Sequence, residues 1–190
     1  MDFYSIVGSS VLGIIFAMQI FRARVIEKFA KIAFFLATSV ALGEVAWNSV
    51  SLYRSWAEGL ATRFFLPPYQ SLGYFYYTIG TRFIAHTLLA LLAAIIVPRV
   101  AEWLNKKYDE RFFYREEFWL MRLGIFAVGY PGFFFYLAAV AGFEIGFSGI
   151  YSLLGKGRAS MRYFWMPAGI LTIILVSWFL PNEILRPFIF

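Results

Sequence analysis

The order of apolar and polar positions divides the chain into long apolar segments separated by short charged ones. A hydrocarbon core of about 30 Å needs about 20 helical residues to cross it. Five segments have a suitable length: residues 3–21, 32–53, 76–97, 123–143 and 163–180. A sixth apolar segment, residues 144–155, is too short to cross alone. The pattern predicts an all-α fold, a polytopic transmembrane helical bundle of five full spans plus one short helix, with residues 1–190 forming one domain.

The composition also indicates that the chain lies in a lipid bilayer and not in water. Of the 190 residues, 61% are hydrophobic and 15% are charged, and the mean hydropathy is +0.70. A soluble domain is about 45–50% apolar, so an ordinary soluble domain and a disordered chain are both excluded. The chain has no cysteine and one histidine, which excludes disulfides, thiolate metal sites and cysteine catalysis. We expect no cofactor and no metal.

The basic residues are grouped along the chain. Segments 22–31, 99–122 and 156–162 hold four, six and three of the 17 basic residues, or 13 in all. The positive-inside rule places these segments in the cytoplasm, so the N-terminus is predicted to be extracytoplasmic. The chain must then return to the cytoplasm after the fourth span, which is the role we assign to the short helix at 144–155. The net charge of +6 is thus a topology signal, and we expect the lipid bilayer rather than nucleic acid as the partner.

Residues 102–120 mix aromatic side chains with charges of both signs. This mixture favours an amphipathic helix that lies in the cytoplasmic membrane interface. A solvated connection between two helices is the alternative.

Four ionisable residues lie within or beside the predicted spans: Glu44, Arg82, His86 and Glu144. Such residues are costly in hydrocarbon and usually have a partner or a function. Arg82 and His86 are four residues apart and share a helix face, and a pair between Glu44 and Arg82 is geometrically possible. A polar pocket or proton path is the functional interpretation, and a single structural salt bridge is the alternative.

The sequence Gly146-Phe147-Ser148-Gly149 places a serine between glycines at the mouth of the predicted short helix. Small residues allow a substrate backbone to approach, and backbone N–H groups at a helix start can stabilise an oxyanion. A notch for helix packing, formed by Gly146 and Gly149, is the alternative. The segment resembles the GxSG segment of rhomboid intramembrane serine proteases, and His86 resembles a histidine that helps bind the oxyanion in that family. The resemblance implies that Ser148 is the nucleophile and His86 an oxyanion-site residue.

The chain also departs from the rhomboid pattern. Ala90 stands at the position of the family's asparagine, and His86 is the only histidine, whereas the family's general base is a second histidine on a later span. A serine needs an activating base to be a good nucleophile. Whether the protein is an enzyme is therefore left open by the sequence.

The aromatic content indicates a further class of function. The chain has 23 Phe, 12 Tyr and 6 Trp, which suggests broad contacts with lipid or with neighbouring proteins. We therefore expect an integral membrane protein that serves as a non-catalytic accessory or structural subunit of a larger membrane complex. The alternatives are a rhomboid-like protease or pseudoprotease that binds transmembrane segments, and a small solute or ion transporter.

Overall fold

The computed structural model describes residues 3–21, 25–110, 112–155 and 163–178. These ranges contain seven α-helices: α1 (Phe3–Phe21), α2 (Ile26–Glu58), α3 (Gly73–Ile79), α4 (Ala85–Lys107), α5 (Glu117–Val128), α6 (Gly132–Leu153) and α7 (Trp165–Trp178). A π-helical segment, Gly80–Ile84, joins α3 to α4, and a 3-10 helix covers Thr62–Phe65. No β-strand occurs in the described ranges. The predicted all-α class is confirmed for this part of the chain.

In the described ranges, three helices are long and apolar enough to cross a membrane: α2, the continuous α3–α4 helix (Gly73–Lys107), and α6. Two shorter apolar helices lie at Ser9–Met18 and Trp165–Ser177. Hydropathy therefore located the apolar helices. The predicted arrangement of five full spans and one short helix differs from the observed helices in the second half of the chain.

The predicted fourth span, residues 123–143, is interrupted by a turn. Helix α5 ends at Val128, Gly129 has a φ of +73°, and α6 begins at Gly132 after Pro131. Residues 144–153 continue α6 without a break, so the predicted separate helix at 144–155 is wrong. Hydropathy treats Gly129, Tyr130 and Pro131 as an uncharged part of a span, but glycine and proline favour a turn at this point.

Helix α5 occupies the centre of the bundle. Eight of its 12 residues are buried, and it packs against α1, α2, α4, α6 and α7. Gly124 allows this packing, since a Cβ atom there would collide with the hydroxyl group of the buried Tyr136 on α6.

The chain reverses direction between α5 and α6 and again between α6 and α7. At one end of α6, a Cβ atom at Gly132 would lie 3.9 Å from Val176 on α7. Towards the other end, the rings of Phe147 and Phe164 stack with centres 4.9 Å apart. The hairpin formed by α5 and α6 therefore returns to the end of the bundle at which α5 begins, where Phe113 lies beside Trp165.

Basic residues gather at this end of the bundle, which we call the basic end. It comprises the start of α2, the end of α4 and the start of α5. Arg115 Nε lies 3.4 Å from Glu27 Oε1, and Lys31 Nζ lies 5.5 Å from the ring centre of Trp119. The charge pattern requires the chain to return to the basic end before residues 156–162. The α5–α6 hairpin provides this return, so a separate short helix is not needed. The extracytoplasmic N-terminus stays a prediction, and residues 156–162 lie outside the described ranges.

Residues 102–120 do not form one amphipathic helix. Helix α4 continues to Lys107, a turn follows, and α5 begins at Glu117. Asp109 and Glu110 have φ angles of 58° and 57°, which a helix cannot accommodate. The alternative, a connection between two helices, describes this segment correctly.

A second, smaller core lies at the opposite end of α2. Leu66, Phe75 and Ile79 are buried there against Leu52 and Trp56. The ring of Trp56 stacks on Tyr74 with centres 5.8 Å apart and contacts Phe65 and Phe75 edge-on or tilted. We call this cluster the aromatic cap. It ties the end of α2 to the start of the α3–α4 helix.

Candidate functional site

Ser148 lies within α6 and is bonded to an acidic neighbour on the same helix. Its Oγ donates a hydrogen bond of 3.1 Å to Glu144 Oε1. Glu144 is buried, with 6% of its surface exposed. The spacing of four residues places both side chains on one helix face. Ser148 is thus held by Glu144 and does not lie at the start of a helix.

His86 lies far from Ser148. It follows the π-helical segment, and its ring centre is 6.0 Å from that of Tyr130 in the α5–α6 turn. Ser148 is 16 residues beyond Gly132 on an unbroken helix, a rise of about 24 Å. The structure therefore does not bring together the two residues that the rhomboid resemblance implies.

Gly146 and Gly149 face open space. No described atom lies within 4 Å of a Cβ atom built at either position, and both residues are exposed. Among the described residues, none packs into a notch at these glycines.

Glu44 and Arg82, both described residues, form no ion pair with each other. The guanidinium carbon of Arg82 lies 5.9 Å from the ring centre of Phe83. Glu44 Oε1 instead accepts a hydrogen bond of 3.3 Å from Asn48 Nδ2 one turn further along α2. The carboxylate is half-buried, and this bond is a short-range contact within its own helix.

Glu44 and His86 lie at a similar depth in the fold. Trp56 contacts Phe75 with ring centres 5.6 Å apart, which aligns the two long helices. Glu44 precedes Trp56 by 12 residues and His86 follows Phe75 by 11, so each is about 17 Å from the aromatic cap. Helices α2 and α4 both pack on α5 and make few direct contacts with each other. Glu44 and Asn48 on α2 thus lie at a similar depth to His86 on α4, although the two helices make few direct contacts.

A polar pocket of about 450 Å³ lies at the basic end. We call it the α4–α5 pocket. Its lining consists of Glu102, Asn105 and Lys106 from α4, Glu110, Phe113 and Arg115 from the connecting segment, and Phe118 from α5. Two acidic and two basic side chains therefore meet two aromatic rings in one concave site.

Asn105 fixes the wall of this pocket. It is 4% exposed, and its Oδ1 accepts hydrogen bonds of 2.9 and 3.0 Å from the N–H groups of Phe112 and Phe113. Its Nδ2 donates a bond of 2.9 Å to the carbonyl of Phe113. Its own carbonyl accepts a bond of 2.8 Å from the N–H of Glu110. One buried amide thus organises the turn that supplies three of the seven described lining residues.

No sequence pattern predicts the α4–α5 pocket directly. Its mixed charges and aromatic residues are equally compatible with the two faces of one helix. An asparagine near the end of a helix is common, so Asn105 does not by itself indicate a turn. The pocket depends on the turn at Asp109 and Glu110, which brings separate segments together.

No protein-family model, curated protein or solved structure matches the chain. The class of the protein is therefore inferred from its fold and not from a related protein. Three helices long and apolar enough to cross a membrane are those of an integral membrane protein. The resemblance to the rhomboid proteases depends on the sequence segments around Ser148 and His86 alone.

Proposed function

We propose that the protein is a non-catalytic accessory subunit of a larger membrane complex, and that it holds a partner's transmembrane helix against α2. The half-buried carboxylate of Glu44 in the middle of α2 carries this proposal. In the described part of the chain, no cation lies within ion-pairing distance of this group.

The cost of an acidic group in hydrocarbon supports a partner at this position. A charged side chain at the centre of a membrane helix costs about 3 kcal/mol on insertion scales, and such residues nearly always pair inside a bundle. The single bond from Asn48, 3.3 Å long, offsets little of that cost. A partner helix that carries a basic or hydrogen-bonding side chain at the same depth would satisfy both Glu44 and Asn48.

The surface of α2 suits close contact with another helix. Only 11% of its most apolar window is buried within the chain. Ser39, Gly43 and Ala46 are all exposed, and a Cβ atom built at Gly43 would meet nothing within 4 Å. These small residues lie about 100–160° around α2 from Glu44, at about 100° per residue. They let a second helix approach closely on the exposed face, whereas Glu44 and Asn48 lie on the half-buried side of α2.

Recovery of native partners tests the proposal. We expect Glu44→Leu to lose proteins that co-purify with the wild type after mild extraction. Glu58→Gln is the matched control, because Glu58 is exposed at the end of the same helix and should keep them. A photo-crosslinking residue in place of Trp47, which is 68% exposed, should capture a partner that the same residue at Ile96 on α4 does not.

Two results would contradict the accessory role. One is a monodisperse monomer with no co-purifying protein under native extraction. The other is equal partner recovery for Glu44→Leu and the wild type, which would show that α2 faces lipid at this level.

A small ion or solute pathway is the second candidate, and the shared depth of Glu44 and His86 favours it. Polar groups on two separated helices are typical of transport sites near the middle of the membrane. Reconstituted protein should then conduct, and Glu44→Gln and His86→Ala should each abolish the flux. Arg54→Gln, at the exposed end of α2, should leave the flux unchanged. Equal flux in all three variants would exclude this pathway.

A further inference from the structure

The α4–α5 pocket has no described lining residue from α2, although its Arg115 pairs with Glu27 at the start of that helix, and it points to a second kind of partner. We infer that this pocket binds the headgroup of a zwitterionic phospholipid. The phosphate lies against Lys106 and Arg115, and the ammonium group lies against Glu102 and Glu110. The proposed accessory function neither requires this site nor excludes it.

The position of the pocket suits a lipid headgroup. The apolar run of α4 ends at Pro98, Arg99 is the first charged residue after it, and Glu102 follows within one turn. Charged residues directly beside an apolar helix segment lie at the level of the headgroups. The pocket is therefore placed where phospholipid headgroups are concentrated.

The balance of charge favours a zwitterion over an anion. The described lining residues include two carboxylates and two cations, so an anionic ligand would meet both attraction and repulsion from them. The existing ion pairs are exposed. Lys106 Nζ lies 3.1 Å from Glu102 Oε1, with side-chain exposures of 65% and 37%. Arg115 Nε lies 3.4 Å from Glu27 Oε1, with side-chain exposures of 87% and 41%. Exposed pairs of this kind contribute little stability. They can therefore exchange for a phosphate and an ammonium group at little cost.

The aromatic lining complements the cationic half of the ligand. Phe118 is buried, with 8% exposed, and Phe113 is half-buried beside it with ring centres 5.9 Å apart. Aromatic faces attract ammonium groups and their attached carbon atoms. The volume of about 450 Å³ lies in the range of sites that enclose small ligands.

The site is arranged before any ligand arrives. Asn105 holds the turn through three side-chain hydrogen bonds. Glu110 has a φ of 57°, which is uncommon for a residue with a Cβ atom and often marks a functional position. A preorganised site lowers the entropic cost of binding. The fold thus fixes the backbone conformation at Glu110, the residue that supplies this carboxylate.

Native mass spectrometry of the detergent-solubilised protein tests the inference. The probes are phosphatidylethanolamine, phosphatidylglycerol with the same acyl chains, and soluble phosphoethanolamine. We expect the wild type to prefer phosphatidylethanolamine. Loss of one charged contact weakens binding about tenfold, so Arg115→Gln should bind this lipid about tenfold less tightly.

Glu110→Gln separates the zwitterion from an anion. It should weaken phosphatidylethanolamine binding about tenfold by the same reasoning. It should not weaken phosphatidylglycerol binding and should strengthen it, because one repulsive carboxylate is removed. Arg54→Gln, which is exposed at the far end of α2, should bind like the wild type. If Glu110→Gln fails to fold, Glu102→Gln at the same pocket replaces it.

Three results would overturn the inference. Equal binding of phosphatidylglycerol and phosphatidylethanolamine by the wild type would indicate an anion site. Soluble phosphoethanolamine that binds as tightly as the lipid would indicate a soluble ligand. Wild-type lipid binding in Arg115→Gln and Glu110→Gln would place the lipid elsewhere on the protein.

Discussion

At the scale of single residues, Gly124 determines how closely α5 and α6 pack. The ring of Tyr136 occupies the space that a side chain at Gly124 would need. Tyr136 is fully buried, with 0% exposed, so its ring has little room to move. The contact lies in the main core, where the packing of α5 decides the arrangement of the other helices.

Gly124→Ala should therefore destabilise the protein. An added methyl group in a packed core typically costs about 2 kcal/mol. Thermal unfolding in mild detergent measures the loss. Gly142→Ala is the matched control, because no described atom lies within 4 Å of that Cβ position on α6. The control should be neutral or gain up to about 1 kcal/mol from helix propensity. Equal stability of the two variants would show that α5 and α6 do not pack as described.

Asn105 has a comparable role at the basic end. Asn105→Ala removes the partners of two N–H groups and one carbonyl in the turn. We expect a loss of about 2 kcal/mol, because unpaired buried polar groups are costly and part of this turn is exposed to water. Hydrogen exchange of the Phe112 and Phe113 amides should become faster.

Asn105→Asp gives a graded comparison for this turn. It keeps an acceptor for the two N–H groups and loses only the donor to the Phe113 carbonyl, so its loss should be smaller than that of Asn105→Ala. A larger loss for the aspartate would contradict this account of the turn.

At the scale of elements, the aromatic cap is a folding unit that is distinct from the main core. It joins the end of α2 to the start of the α3–α4 helix through Trp56 and its ring contacts. The main core contains residues of α1, α2, α4, α5, α6 and α7. The two clusters are separate groups of buried residues, so local loss at one end need not unfold the other.

Trp56→Ala should loosen the aromatic cap selectively. Truncation of a large aromatic residue in a core costs 3 kcal/mol or more, and Trp56 is only half-buried, so we expect about 2 kcal/mol. Hydrogen exchange should rise in residues 52–83 while α5 keeps its protection. Trp47→Ala is the control, since Trp47 is 68% exposed on the same helix. A uniform rise in exchange across α5 would show that the two cores unfold together.

The limits of sequence interpretation are also clearest at the element scale. Hydropathy identified α2, the α3–α4 helix and the apolar character of α6, because each contains a long segment with few charges. It missed the turn at Gly129 to Pro131, since those residues are uncharged and the break is a property of the backbone. The α4–α5 pocket could not be predicted, because it depends on a turn that Asn105 holds in three dimensions. Ser148 and Glu144 are each conspicuous in the sequence, but the hydrogen bond between them depends on the unbroken α6 helix.

At the scale of the whole molecule, the helix directions give a testable topology. The chain has no cysteine, so single cysteines report position without background. Tyr108→Cys and Leu154→Cys should react with a membrane-impermeant maleimide from the same side of oriented vesicles, because both lie at the basic end. Ser71→Cys, near the aromatic cap, should react from the other side. All three positions are exposed.

Labelling of Leu154→Cys from the side of Ser71→Cys would contradict the α5–α6 hairpin. Labelling of Tyr108→Cys from the extracytoplasmic side would reverse the orientation that the basic residues predict, while it would leave the fold itself unchanged.

The α5–α6 hairpin also bears on how the chain enters a membrane during synthesis. Its turn consists of Gly129, Tyr130 and Pro131, so no charged segment has to be carried across the bilayer when the hairpin inserts. The two helices can enter as a preassembled pair whose backbone hydrogen bonds are already satisfied. The second half of the protein would therefore insert without translocation of a hydrophilic loop between α5 and α6. With the basic end in the cytoplasm, as the charge pattern predicts, the segment between α2 and α3, which contains Arg63, would have to be transferred.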